Sequence, residues 1–301
     1  MELGMVGLGR MGANMAERLL RGGHKVTGFD PNADARKALE GKGAAGAESL
    51  QALVQALPAP RVVWLMVPAG KITDDTVNTL LPLLSPGDTV IDGGNSNYND
   101  TLRRAALYRE HQLDYVDCGT SGGVWGLAEG YSMMVGGDEA VVKRLQPIFE
   151  TLAPGKDAGW GRVGPVGSGH FTKMVHNGIE YGMMQAYAEG FSILEHKQEF
   201  GLDLAQIGQI WRQGSVVRSW LLDLTTDALT KNPKMEGIAP YVADSGEGRW
   251  TVDEAIQLNV PAPVITLSLI ARLRSRDTES FTDKLLASMR NEFGGHAIKK
   301  E

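Results

Sequence analysis

The sequence predicts an α/β chain in two parts: a doubly wound, mostly parallel sheet over residues 1–164, then an all-helical domain over residues 165–301. Three observations predict it. A glycine-rich turn joins a short apolar strand to an amphipathic helix at the start of the chain. Strands and helices then alternate to about residue 160, which implies parallel strands with helices over both faces. Beyond that point only the helical period persists. A length of 301 residues, 43% of them apolar, also suits two domains with proper cores.

Leu3-Gly4-Met5-Val6 is the first strand, and Gly7-Leu8-Gly9-Arg10-Met11-Gly12 follows at once. Ala13 to Arg21 carries Met15, Ala16, Leu19 and Leu20 at helical spacing, and Lys25 to Phe29 is a second strand leading to Asp30. Further strands are predicted at Arg61–Val67, Thr89–Asp92, Leu113–Cys118 and Ser132–Val135. Helices are predicted between them at Ser49–Ala56, Asp74–Leu84 and Thr101–His111. The glycine-rich stretch Trp160–Gly169 reads as the junction between domains, with no strand beyond it. A helix is expected from Ser168 to about Lys197. Others follow at Ala205–Trp211, Trp220–Leu229, Thr251–Leu258, Val264–Arg274 and Phe281–Phe293. Gly201, Asn232-Pro233, Pro240 and Pro261-Ala262-Pro263 separate them.

The glycine turn carries chemistry because of where it sits. Strand, GxGxxG, helix, strand and acid follow in the order that a Rossmann-like dinucleotide fold requires. Gly7 permits the turn, Gly9 lets backbone N–H groups approach a pyrophosphate, and Gly12 lets helix and strand pack closely. The positive end of the helix then faces the phosphates, with Leu8, Arg10 and Met11 completing the loop. Asp30 is placed to accept hydrogen bonds from the adenosine ribose and to repel a 2′-phosphate, which favours NAD over NADP. A helix N-cap or a turn would also suit an aspartate there.

Lys173, Asn177 and Glu180 are the most informative polar residues. On a helix of about 100° per residue, Asn177 falls about +40° and Glu180 about −20° from Lys173. All three share one face, spread over roughly 10 Å of axis. A lysine and a glutamate two turns apart suit a reaction with a base at one carbon and an acid at another. Burial beside a nicotinamide ring would make the lysine a better base. A solvated charge pair has the same spacing. Asp92-Gly93-Gly94-Asn95-Ser96 and Thr120-Ser121-Gly122-Gly123 each follow a strand at the edge where open α/β sheets bind ligands. Their backbone N–H groups suit carboxylate or hydroxyl oxygens, and both also read as structural turns.

Composition narrows the partners. A net charge of −6 argues against nucleic acid or an anionic membrane. The single cysteine, Cys118, excludes a disulfide framework and a Cys-based zinc site, and reads as a small buried residue in a reducing compartment. Six histidines show no metal spacing, so no metal is expected. With no basic region leading into an apolar run, and no apolar stretch of about 18 residues, a soluble cytoplasmic protein is expected.

Together these stretches resemble the 6-phosphogluconate dehydrogenases. The likeness is carried by Gly7 to Gly12, Met66-Val67-Pro68-Ala69-Gly70, Ile91 to Ser96, Ser121-Gly122-Gly123 and the long run Gly169 to Gly182. Asp244-Ser245, Arg249-Trp250-Thr251 and Arg290 to His296 extend it over almost the whole chain. The resemblance implies oxidative decarboxylation of 6-phospho-D-gluconate to D-ribulose 5-phosphate and CO2, a step of the pentose phosphate pathway and of gluconate utilization. The cofactor implied is NAD, or less favourably NADP. Carried over by position, Lys173 takes the C3 hydroxyl proton during oxidation, and Glu180 protonates C1 of the enediol left by CO2. Val67 and Asn95 join the glycine turn and Asp30 at the cofactor, and Asn95 also positions substrate. Ser121, Gly122, Gly123, His176 and Asn177 hold the carboxylate and hydroxyls. Tyr181, Arg272, Arg290 and His296 hold the phosphate. In the family the tail residues come from a neighbouring subunit, which implies a homodimer or homotetramer.

Two departures from the family pattern stand out. Long-chain members carry a second helical repeat that this sequence lacks, so it looks like the short-chain, often NAD-preferring type. Ser245 stands where some long-chain members have a phosphate-binding lysine. Two other functions fit parts of the pattern. A β-hydroxyacid dehydrogenase for an unphosphorylated acid, such as 3-hydroxyisobutyrate, needs Lys173 but has no use for Glu180 or the tail cations. A non-catalytic dinucleotide-binding protein has no reason to place Lys173, Asn177 and Glu180 on one face.

Overall fold

A computed structural model describes residues 1–299; Lys300 and Glu301, the last of the predicted tail, lie outside the described residues. The chain divides into two compact units, Met1–Asn177 and Gly178 onward.

In the first unit β1 (Glu2–Val6) leads through the glycine turn into α1 (Arg10–Arg21). Next come β2 (Lys25–Phe29), α2 (Ala33–Glu40), the two-residue β3 (Ala45–Gly46), α3 (Leu50–Ala56) and β4 (Val62–Leu65). They are followed by α4 (Lys71–Leu80), β5 (Thr89–Asp92), α5 (Tyr98–Glu110), β6 (Asp114–Ser121) and α6 (Gly126–Glu129). The unit continues with β7 (Ser132–Gly136), α7 (Glu139–Leu152) and β8 (Trp160–Gly164). The strands form one sheet in the order β3-β2-β1-β4-β5-β6-β7-β8. Every adjacent pair is parallel except β6 with β7. The order reverses between β1 and β4, which places the glycine turn at the crevice where such sheets take ligands.

The strands β4 and β5 are buried at every residue, as strands covered on both faces must be. Met15 and Leu19 of α1 and Leu145 and Phe149 of α7 pack on one face with Trp64 and Tyr131. Leu53, Val77, Leu80 and Tyr108 bring α3, α4 and α5 onto the other. The sheet, its helices and the helical second unit are the predicted fold class.

Some elements differ from expectation. The predicted junction begins as a strand, β8, which pairs with β7 from Met133↔Trp160 onward. Trp160 secures it by stacking on Phe149, with ring centroids 5.3 Å apart. The sequence pattern does not predict the helices α2, α6 and α7 or the short β3, and α4 starts at Lys71 rather than Asp74.

In the second unit the helix α8 (Ser168–His196), which begins in the first, is followed by α9 (Leu204–Trp211) and α10 (Trp220–Lys231). Then come α11 (Glu247–Gln257), α12 (Pro263–Arg274) and α13 (Phe281–Gly294). Asp203 and Ser219 cap α9 and α10 by accepting backbone N–H groups of their first turns. Phe191, Leu222 and Leu229 form a small core with Tyr187 and Trp211 against it. The helix α11 begins at Glu247, four residues before the expected Thr251, which sets Ser245 close to its first turn. Among the described residues no helix is long and apolar enough to cross a membrane.

Candidate functional site

The glycine turn has the conformation its sequence asks for. Gly7 lies at φ 89°, and a Cβ added at Gly12 would run into the Gly7 carbonyl. At Gly9 an added Cβ would meet nothing within 4 Å among the described residues. Gly9 and Arg10 are exposed, Leu8 is buried and Met11 half-buried, and no side chain caps the start of α1. Open backbone at an uncapped helix N-terminus fits a dinucleotide pyrophosphate. Asp30 accepts the Leu8 N–H at 2.8 Å on Oδ2 and the Asn32 N–H at 2.8 Å on Oδ1. It thereby ties the turn to the end of β2, and each oxygen keeps a lone pair for a further donor such as a ribose hydroxyl.

Two more loops lie at the carboxyl edge of the sheet. Val67 is half-buried after β4, and Gly94 passes so close that its Cβ would stand 3.0 Å from the Val67 carbonyl. Asn95 is exposed between buried Gly94 and buried Ser96. After β6, Gly122 and Gly123 adopt φ 135° and 52°, and Ser121 pairs with Ser132 at the end of the ladder.

The start of α8 is seated directly on the sheet. Asp117, fully buried, accepts the Gly167 N–H at 2.6 Å and the His170 N–H at 2.8 Å. A Cβ at Gly169 would stand 2.5 Å from the Met134 carbonyl oxygen and 2.7 Å from that of Asp117. One at Gly119 would press into the Cβ of Lys173. Missing side chains therefore let the helix touch the strands, and Lys173 is 6% exposed as a result. Its Nζ lies 3.4 Å from His176 Nδ1, which lies 3.1 Å from Asn177 Oδ1. The structure thus brings Lys173, His176 and Asn177 together; His170 turns elsewhere, its Nδ1 2.7 Å from Thr101 Oγ1.

In the second unit α8 continues unbroken through half-buried Glu180 and buried Tyr181. The Arg272 guanidinium lies 3.5 Å from the centroid of the Tyr181 ring and donates to the Ala243 carbonyl at 2.9 Å. The Tyr181 hydroxyl accepts the Ser245 N–H at 3.3 Å, and the Ser245 hydroxyl donates to Glu247. The hydrogen bond from Arg249, joined by one from Arg276, holds the Asp244 carboxyl below the usual range although burial opposes it. Arg290 on α13 and His296 beyond it are exposed. The Tyr181–Arg272 pair is therefore assembled, with the two tail residues standing apart at the surface.

Among the described residues no group of three or more histidine, cysteine, aspartate or glutamate side chains could hold a metal ion. Burial pushes the Cys118 thiol up to about 12, so it is no nucleophile near neutral pH. Sequence reasoning missed Asp117 and Arg104. Their signal was available as charge in apolar places: an aspartate inside a buried strand, and an arginine on the Thr101, Ala105 and Tyr108 face of α5.

Comparisons with known proteins bear on the family and the fold. The family model for the NAD binding domain of 6-phosphogluconate dehydrogenase matches residues 2–163, and that for the 6-phosphogluconate dehydrogenase C-terminal domain matches residues 169–291. A Bacillus subtilis (strain 168) relative is 44% identical over the full length of both chains. A Haloferax volcanii 6-phosphogluconate dehydrogenase, NAD(+)-dependent and decarboxylating, is 43% identical over 100% of this chain and 99% of its own. The solved Plasmodium falciparum 6-phosphogluconate dehydrogenase superposes with a TM-score of 0.84 at 28% identity; the match takes in 100% of this chain and 66% of that one. With two family models spanning both units and relatives matched end to end, the chain belongs to the 6-phosphogluconate dehydrogenase family.

Proposed function

We propose that this chain catalyses the NAD-linked oxidative decarboxylation of 6-phospho-D-gluconate to D-ribulose 5-phosphate and CO2. One observation supports the reading above others. A buried lysine lies against the sheet of a dinucleotide-binding unit, with His176 and Asn177 beside it. Bound NAD supplies the two-electron acceptor at C3. Lys173 takes the C3 hydroxyl proton, and His176, Asn177 and Asn95 hold the neighbouring hydroxyls by hydrogen bonds. The substrate carboxylate sits on Ser121 and the backbone N–H groups of Gly122 and Gly123. When the C1–C2 bond breaks and CO2 leaves, its electron pair forms the C2=C3 enediol, whose C3 oxygen takes the proton back from Lys173. Glu180 then delivers a proton to substrate C2, which is C1 of the product, as Lys173 takes the proton from the C3 hydroxyl again to leave the ketone. Tyr181, Arg272, Arg290 and His296 take the phosphate, the arginines through their planar forks.

The division into a dinucleotide domain at 1–164 and a helical substrate domain at 165–301 belongs to the same reading. So do preference for NAD through Asp30, a cytoplasmic place in the pentose phosphate pathway, and a homodimer or homotetramer. The test follows the absorbance of reduced nicotinamide with NAD or NADP and 6-phosphogluconate, gluconate or 3-hydroxyisobutyrate in turn. Turnover of 6-phosphogluconate with NAD well above every other pairing is expected. Preference for 3-hydroxyisobutyrate would replace the reading, and binding of NAD without turnover of any acid would reduce the chain to a binder.

A further inference from the structure

One buried arginine reaches three segments at the carboxyl edge of the sheet. Arg104 on α5 is 1% exposed. Its Nε donates to Asp74 Oδ1 of α4 at 2.8 Å, and its Nη2 to the Gly70 carbonyl at 3.3 Å. Its Nη1 donates to Asp92 Oδ2 at 3.3 Å and to Ser96 Oγ at 3.2 Å. Gly70 closes the turn that follows Val67, and Asp92 and Ser96 stand on either side of Asn95. Asp92 binds the same loop from within. It accepts the Gly94 N–H at 3.2 Å, the Ser96 hydroxyl at 2.9 Å and the Tyr115 hydroxyl at 3.1 Å. Asn95 is thus an exposed amide on a loop whose neighbours are buried and bonded.

A guanidinium suits this place, because a rigid plane of five donors serves several acceptors at fixed angles. A lysine ammonium has three donors, no plane, and cannot reach Asp74, Asp92 and Gly70 together. The geometry points to Arg104 as a positioning residue that fixes the Asn95 loop against the Val67–Gly70 turn. Asn95 then meets cofactor and substrate at one set distance. The inference rests on the proposed reading of Asn95 and extends it to a residue that touches neither ligand.

The experiment compares wild type, Arg104→Lys and Asp74→Asn by amide hydrogen exchange, and combines Arg104→Lys with Asn95→Ala in a double-mutant cycle on 6-phosphogluconate turnover. In Arg104→Lys, exchange in residues 68–72 and 93–97 should quicken about tenfold while β1 and β2 keep wild-type protection. Asp74→Asn alters a partly exposed partner, so the protein stays folded, and it should quicken residues 68–72 alone. Asn95→Ala should lower kcat/KM about tenfold less in the Arg104→Lys background than in the wild type. Faster exchange spread over the whole sheet, or an Asn95→Ala effect of equal size in both backgrounds, overturns the inference. If the wild type does not oxidise 6-phosphogluconate, the proposed function falls. The exchange measurement would still decide whether Arg104 anchors the loop.

Discussion

Lys173 shows how far one residue depends on what is missing around it. Its stem lies against Gly119, and its nitrogen is 3.4 Å from His176 Nδ1. Lys173→Met keeps an apolar stem of similar length and removes the proposed base. Turnover should fall by about 100-fold or more, while NAD affinity in a fluorescence titration stays near wild type. Near-wild-type turnover would refute the role. Asp30 carries a second prediction. Asp30→Ser with Pro31→Arg should move the ratio of kcat/KM values toward NADP, because a like charge is replaced by a fork suited to a 2′-phosphate. NAD itself should bind about tenfold more weakly, since serine cannot serve the Leu8 and Asn32 N–H groups as two carboxylate oxygens do. A wild type more efficient with NADP than with NAD would sink the reading of Asp30.

At the scale of elements, the seat of α8 on β6 and β7 was only half legible. The helix itself was plain from its period, and it runs from Ser168 to His196 as expected. The anchor was not, because Asp117 lies 50 residues from the Gly167 N–H it accepts, and no local pattern connects them. The edge strand β8 was hidden by glycines at Gly161 and Gly164, and only pairing with β7 reveals it. Gly169→Ala tests the seat. The added Cβ would crowd two carbonyls, so stability should fall by roughly 1–3 kcal/mol in chemical denaturation. Activity should fall further than stability, since the displaced turn carries Lys173. A variant as stable and active as wild type would show that the helix is free to shift. His24 joins the α1–β2 turn to α7, its Nε2 2.9 Å from Thr151 Oγ1, and burial first of all lowers its proton affinity below the ordinary 6.5. The unfolded chain therefore takes up the proton first as pH falls. This part of the stability is whole above about 6.5 and is lost from there down to the depressed folded value. Melting curves of His24→Ala should decline less steeply than wild type between pH 7 and 5; equal slopes would contradict the assignment.

For the whole molecule, the two-part order of sheet and helices was legible because hydrophobic period changes from mixed to purely helical along the chain. The GxGxxG turn was equally legible, since Gly7 and Gly12 are required by backbone alone. The stacking of Arg272 on Tyr181, and the bonds from Arg104 to Asp74 and Asp92, join distant segments that only a folded chain reveals. The tail offers a test at this scale. No residue of α13 is buried, and Phe293 is 93% exposed. Removing residues from Arg290 onward should change the melting transition and NAD affinity little. The KM for 6-phosphogluconate should rise by about 100-fold, as expected when charged hydrogen bonds to a phosphate are lost. An unchanged KM would exclude Arg290 and His296 from the site.

Gly9 separates two pressures that usually act together on a glycine. Its backbone has φ −60° and ψ −179°, which alanine adopts without strain, and among the described residues a methyl group there would meet nothing within 4 Å beyond its chain neighbours. Gly9→Ala should therefore fold as well as wild type, or slightly better through a less flexible unfolded chain. A survey of variants scored by expression or melting alone would rank it harmless. Repeated with NAD at saturating concentration, the same survey should show a wild type that gains thermal stability and a variant that gains almost none. The difference between the two surveys, taken position by position, would map which residues of this chain answer to the fold and which answer to its cofactor.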